Sequence, residues 1–180
     1  MITSFLGYKG GVGKTTPCVN TAGFLRRTGK SVLVVDLNPQ ANATSALGID
    51  LSSVDLGIND VVDPAEGILE GPEGIHILSS KGERVEEIPD LNLDYDFILI
   101  DTPPSSREAV SDVSFACFDC GILALESFRY LGVRTENAIV CKYRWFTDRE
   151  IIAPLSSLAM LLMSGRAASV YSRIADWLLH

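Results

Sequence analysis

A chain of 180 residues that is 47% hydrophobic and only 21% charged is long enough for one domain with a full core, and too apolar for a disordered one. Its four cysteines are too few for a disulfide scaffold and are expected to be reduced, and no apolar run reaches the roughly 20 residues that a bilayer-spanning helix needs. The net charge of −8 is uneven: residues 1–128 hold 8 Lys/Arg against 19 Asp/Glu, and residues 129–180 hold 7 against 4, so an acidic body carries a mildly basic C-terminal segment with room for an anionic partner.

The first predicted element is a strand, Ile2 to Leu6, followed by Tyr8-Lys9-Gly10-Gly11-Val12-Gly13-Lys14-Thr15-Thr16 and an amphipathic helix, Cys18 to Arg27. A strand running through a glycine-rich turn into a helix N-terminus makes an anion site, because unpaired backbone N–H groups and the positive end of the helix dipole converge there. Gly10, Gly11 and Gly13 are expected to take positive φ and let the backbone close on phosphate oxygens. Lys14 supplies a point charge for β- and γ-phosphates, and the Thr15 hydroxyl is placed to ligate Mg²⁺. Pro17 falls in the first helical turn, where its missing N–H costs little. A flexible glycine turn with solvated lysines is the plain alternative, and it leaves the order of these residues unexplained.

Further strands are expected at Ser31–Asp36, Ile75–Leu78, Asp96–Asp101 and Gly121–Leu125, with a second helix over Ser106–Phe118 and a surface loop at Gly67–Gly74. Strands alternating with helices imply an α/β fold: a mainly parallel sheet with helices on both faces and ligands beyond the carboxyl ends of its strands. The glycine loop, Asp36 and Asp101 all fall at such ends and are expected to converge. No linker divides the chain, so residues 1–180 are read as a single domain.

Asp36 opens the run Asp36-Leu37-Asn38-Pro39-Gln40-Ala41-Asn42-Ala43-Thr44. A carboxylate here can hold Mg²⁺ directly or through water, and Pro39 and Gln40 beyond it can sense a γ-phosphate. An Asx-rich turn capping the next helix is the plain alternative. Phe97-Ile98-Leu99-Ile100-Asp101 is an apolar strand ending in aspartate, the form of a Walker B segment, and it is expected to place Asp101 in the outer shell of Mg²⁺ across from Thr15. Thr102-Pro103-Pro104-Ser105 stiffens the exit, with Ser106 as a helix cap.

The generic phosphate loop begins with a glycine where this chain has Tyr8, and it lacks the second lysine, Lys9. With that departure KGGVGKTT resembles the deviant Walker A motif of the ParA/MinD superfamily of P-loop ATPases. The Asp36 run resembles switch I of the ParA-type, Soj-like branch, D-x-D-P-Q-[GA]-N-A-T, and the Thr102 run resembles switch II. The resemblance implies a P-loop NTPase fold binding ATP and Mg²⁺, with Lys9, Lys14, Asp36 and Asn38 in catalytic roles. Nucleotide would be held by Lys9 through Thr16 with Pro39 and Gln40, and metal by Thr15, Asp36 and Asp101. It further implies an ATP-dependent homodimer in which Lys9 reaches the partner subunit's phosphates, non-specific DNA binding, a ParB-like activator, and a cytoplasmic, nucleoid-associated protein. The chain departs from the pattern at Asn38, where the family has aspartate. A neutral amide can orient water but cannot accept its proton, so hydrolysis is expected to be slow.

Beyond Leu125 the resemblance fades, and the C-terminal region is shortened relative to the family. Ser127–Thr135 is expected to be helical; Asn137–Tyr143 fits a continuation of that helix, which is favoured, or a strand of its own. Cys117 and Cys120 form a C-x-x-C that suits core packing better than the metal site of an Mrp-like iron–sulfur carrier. Lys142, Arg144, Trp145 and Arg149 make either a DNA-backbone patch or a solvated face. The amphipathic segment Ala167–Leu179 has too few cations for a MinD-like membrane helix and is expected to dock on the sheet.

Overall fold

A computed structural model describes residues 1–7, 10–104, 111–118, 138–140 and 166–180. Among the described residues seven strands form one sheet: β1 (Ile2–Leu6), β2 (Val32–Asp36), β3 (Ile68–Glu70), β4 (His76–Ser79), β5 (Phe97–Asp101), β6 (Val113–Phe118) and β7 (Ala138–Val140). Their order is β3-β4-β2-β5-β1-β6-β7. Every pairing is parallel except the edge pair β3 and β4.

The central strands are continuous apolar runs because both faces of the sheet are buried. Along β2, Val32 and Val34 point to one cluster and Leu33 and Val35 to the other; β5 divides Phe97 and Leu99 from Ile98 and Ile100 in the same way. Helices α1 (Thr15–Arg27), α2 (Asn42–Ala46) and α3 (Arg166–Leu179) lie on the first face, and α1 packs against α3. On the second face Ile58, Val85, Ile88, Leu91, Leu93 and Tyr95 close the cluster.

Helix α1 follows from its apolar spacing, Cys18, Val19, Ala22 and Leu25, all buried. Arg26 and Arg27 lie in its last turn, where cations oppose the negative end of the dipole. It stops in a Schellman turn: Gly29, at φ +84°, donates to the Arg26 carbonyl at 2.9 Å, and Lys30 donates to the Leu25 carbonyl at 3.3 Å. Helix α3 docks as its amphipathic pattern requires, burying Ile174, Ala175 and Leu178. Trp177 lies edge-on to Phe115, which stacks on Phe5.

Three sequence expectations change. The helix expected over Ser106–Phe118 is instead strand β6 from Val113 onward, eight residues ahead of the strand expected at Gly121–Leu125. Val113, Phe115 and Cys117 face the α1 side while Ser114 turns the other way to bond Ser4, a period of two that matches a strand. Pairing with β1 from Thr3↔Val113 to Leu6↔Ala116 satisfies a backbone edge that a helix would have left open. The loop expected at Gly67–Gly74 contains the short antiparallel strand β3, and within Asn137–Tyr143 the strand alternative holds at Ala138–Val140, which pairs with β6. Residues 121–125, 127–135 and Ser106 lie outside the described residues.

Candidate functional site

The carboxyl ends of β1, β5 and β2 lie side by side, with Phe5 opposite Asp101 and Asp101 opposite Asp36. The Leu37 N–H donates to the Asp101 carbonyl at 2.9 Å, extending the β2–β5 ladder past both carboxylates. The glycine loop therefore opens onto the edge where the two aspartates end their strands.

Within the loop, Gly11 and Gly13 take φ of +75° and +88°, values that a side chain would strain. At Gly10 a Cβ would lie 3.8 Å from Pro104 Cγ, in ordinary contact. Gly7, which sequence reasoning passed over, has a stronger requirement: a Cβ would come within 2.5 Å of Val12 Cγ2 and 3.1 Å of the Lys14 side chain. Its position directly after an apolar strand was the available signal. Val12 is itself buried, so the loop is pinned by packing as well as by glycine.

No side chain caps α1 and its first turn holds no acidic residue; the acidic group described beside its positive end is Asp101 of β5. Lys14 precedes it, 5% exposed; burial pulls its ammonium below the usual lysine range while the Asp101 carboxylate pulls it back up. Thr15 Oγ1 donates to Asp101 Oδ2 at 2.6 Å. Asp101 Oδ1 is buried without a hydrogen-bond partner, and burial pushes this carboxyl up to about 7, with the Thr15 bond opposing the rise. An orphaned acceptor beside a threonine hydroxyl, under a helix N-terminus, is a donor set that suits Mg²⁺.

Asp36 is differently placed. Its Oδ2 accepts from Thr44 N–H and Thr44 Oγ1, each at 2.8 Å, and its Oδ1 accepts from Asn38 N–H at 3.1 Å. Burial raises its pKa and these bonds oppose the rise. Asp36 therefore pins the turn and the start of α2, as the Asx-turn alternative anticipated, while remaining at the shared edge. Thr44 Oγ1 also meets Ser79 Oγ at 2.9 Å, and Ser80 Oγ donates to the Asn38 carbonyl at 2.7 Å. Thr44, Ser79 and Ser80 are buried supports that sequence reasoning gave no role; the register Asp36↔Ser79 is what brings the β4 end to them. Gln40 N–H donates to Asn38 Oδ1 at 3.0 Å, Gln40 Oε1 accepts from Asn42 at 3.2 Å, and Ala41 holds φ +47°.

Tyr8, Lys9, Cys120, Lys142, Arg144, Trp145 and Arg149 lie outside the described residues. Cys117 is buried in the core, in keeping with the packing alternative. Among the described residues no group of three His, Cys, Asp or Glu side chains could hold a metal, and no helix is long and apolar enough to cross a membrane.

Residues 1–77 match the family model of an AAA domain. The chain is 39% identical over 111 residues to the chromosome-partitioning ATPase Soj of Thermus thermophilus, covering 54% of this chain and 43% of that protein. It is 36% identical over 158 residues to the sporulation initiation inhibitor protein Soj of Bacillus subtilis, covering 72% and 62%. The chain thus spans less than two thirds of the length of either relative. Among solved structures, the cobyrinic acid a,c-diamide synthase of Mycobacterium smegmatis with ADP and magnesium superposes with a TM-score of 0.71 at 20% identity, over 99% of this chain and 93% of that one. A plasmid partition protein of Borrelia burgdorferi gives 0.65 at 20% identity, over 99% and 97%. Both structural likenesses bear on the fold, and the Soj identities together with the glycine loop, Asp36 run and Asp101 strand bear on descent. By these identities and motifs the chain is similar to the ParA/MinD superfamily of deviant Walker A P-loop ATPases, on its Soj-like side.

Proposed function

We propose that this chain, as one P-loop domain over residues 1–180, binds Mg-ATP at the shared strand edge and works as an ATP-dependent dimerisation switch in DNA partition or cargo positioning. The observation that carries the reading is the Thr15–Asp101 contact beneath the uncapped α1 terminus, with the second Asp101 oxygen unpartnered. Residues Gly10 to Thr16 would cradle the phosphates, Lys14 would pair with the β- and γ-phosphates, and Pro39 and Gln40 would lie toward the terminal phosphate. Thr15 and Asp101 would hold Mg²⁺, with Asp36 behind them through water or through Thr44. Bound there, the ion would neutralise charge on the phosphate oxygens.

Lys9 would reach the phosphates of a second subunit, so dimerisation would follow ATP rather than ADP. The assembled dimer would bind DNA non-specifically through the basic C-terminal segment and be stimulated by a ParB-like protein, in the cytoplasm and on the nucleoid. Because Asn38 cannot take a proton from water, turnover would be slow. Light scattering of the full chain with ATP, with ADP and with Lys9→Ala tests the switch: a dimer with ATP alone, lost in the variant, supports it. A monomer under all three conditions overturns it. Restoring Asn38→Asp is expected to raise ATP turnover, and an unchanged rate would remove the explanation for slow hydrolysis.

A further inference from the structure

Lys81 is held in a backbone conformation that its residue type avoids. It follows β4 as the first central residue of a tight turn in which Glu83 N–H donates to the Ser80 carbonyl at 3.0 Å, and Lys81 and Gly82 take φ of +58° and +79°. Such turns usually carry Asn, Asp or Gly at both places, because a larger side chain in the left-handed region crowds its own backbone. Three contacts hold the lysine there. Its Nζ donates to the Asp55 carbonyl at 2.8 Å and to Asp60 Oδ2 at 3.3 Å, and its stem lies flush against Gly57, where a Cβ would come within 2.8 Å of Lys81 Cβ. Asp60 Oδ2 also accepts from Gly57 N–H at 2.8 Å, so one lysine gathers the 55–60 loop. Leu56 in that loop and Val62 just beyond it are exposed.

The same residue ends a buried series of hydrogen bonds that begins at the shared strand edge. Lys81 N–H donates to Ser79 Oγ at 3.0 Å, Ser79 Oγ meets Thr44 Oγ1 at 2.9 Å, and Thr44 Oγ1 donates to Asp36 Oδ2 at 2.8 Å. A hydroxyl has one hydrogen, and Thr44 gives its own to the carboxylate, so Ser79 must donate to Thr44 and accept from Lys81. Every bond in the series therefore points toward Asp36, and bonds so aligned polarise and strengthen one another. Asp36 lies opposite Asp101 in the β2–β5 register. We propose that Lys81 is a strained clamp through which occupancy of the nucleotide site is transmitted to the 55–63 loop. The inference rests on the Mg-ATP reading above and adds a responsive surface to it. Strain at residue 81 gives the turn two states, clamped and relaxed, and relaxation withdraws the first donor of the series. A filled site that fixes Asp36 favours the clamped state; by reciprocity, an unclamped loop weakens nucleotide binding.

Hydrogen exchange of the full chain in Mg²⁺, alone and with a non-hydrolysable ATP analogue, reads the loop, while titration calorimetry reads binding. In the unaltered chain, exchange over residues 55–63 is expected to slow about fivefold or more when the analogue binds, the low end of ordinary coupling between sites. Lys81→Asn suits the left-handed turn but cannot reach Asp55 or Asp60. It is expected to abolish that response and to weaken analogue binding severalfold. A lysine that merely braced the loop would, when replaced, raise exchange equally with and without the analogue; a ratio left intact in this way would overturn the clamp. Should Lys81→Asn fail to fold, Asp60→Asn, which removes the charge that Lys81 meets, is expected to diminish the response, and an undiminished one would overturn the clamp equally. Loop exchange indifferent to bound analogue in the unaltered chain would overturn the coupling and leave the nucleotide site standing. Absence of analogue binding to the unaltered chain would overturn both.

Discussion

Asp36 and Asp101 lie directly opposite each other across β2 and β5, yet one carboxylate is filled with donors and the other is half empty. Asp36 accepts three hydrogen bonds from Thr44 and Asn38; Asp101 accepts one from Thr15 and keeps Oδ1 unpartnered. The contrast separates a carboxylate that organises protein from one left available to a cation.

The state of Asp101 sets a pH dependence. Burial raises its carboxyl from the ordinary 3.8 to about 7, so the folded protein holds a proton here that the unfolded chain releases above pH 4. Its contribution to stability is full below about pH 4 and is lost as pH rises through 7. Asp36 adds in the same direction, whereas Asp50, Asp60 and Asp96, lowered by hydrogen bonds, act only below their ordinary range. Melting temperatures in chelator are therefore expected to fall between pH 5 and 8, and Asp101→Asn is expected to flatten most of that slope and to melt higher at pH 8. An equal slope in the variant would contradict this assignment.

Thr44 ties Asp36 to Ser79 with one hydroxyl. Thr44→Ala is expected to cost about 1–3 kcal/mol, because it leaves a buried carboxylate short of a donor. Ser79→Ala spares the Asp36 contact and is expected to cost less. Chemical denaturation of both variants checks the order.

Gly7 is constrained by neighbours rather than by its own backbone. A methyl group there meets Val12 Cγ2 at 2.5 Å, so Gly7→Ala is expected to cost about 1–3 kcal/mol and to weaken nucleotide binding through the displaced loop. Gly10→Ala, whose methyl lies 3.8 Å from Pro104, is expected to be milder in stability. Thermal melts of the pair decide.

Much of this site was legible before the structure because its chemistry is local: the glycine loop, the Asp36 run and the Asp101 strand each sit within a dozen consecutive residues, and parallel strand ends must gather on one edge. Whatever depends on contacts between distant segments was hidden. Ser79 and Ser80 matter only because β4 pairs with β2, and Gly7 only because Val12 folds back over it. Strand β6 was missed for a related reason. Val113 to Phe118 carries both an apolar helical spacing and an alternation of two, and the open edge of β1 decides between them.

Three strand ends are proposed to close around one magnesium-bound triphosphate, and titration calorimetry of the full chain with ATP tests that closure most directly. Binding in Mg²⁺ that is weakened about tenfold or more by chelator and by Lys14→Ala or Asp101→Asn is the expected result, each change removing charge-assisted contacts. Heat absent in Mg²⁺, or an affinity indifferent to all three changes, would contradict it.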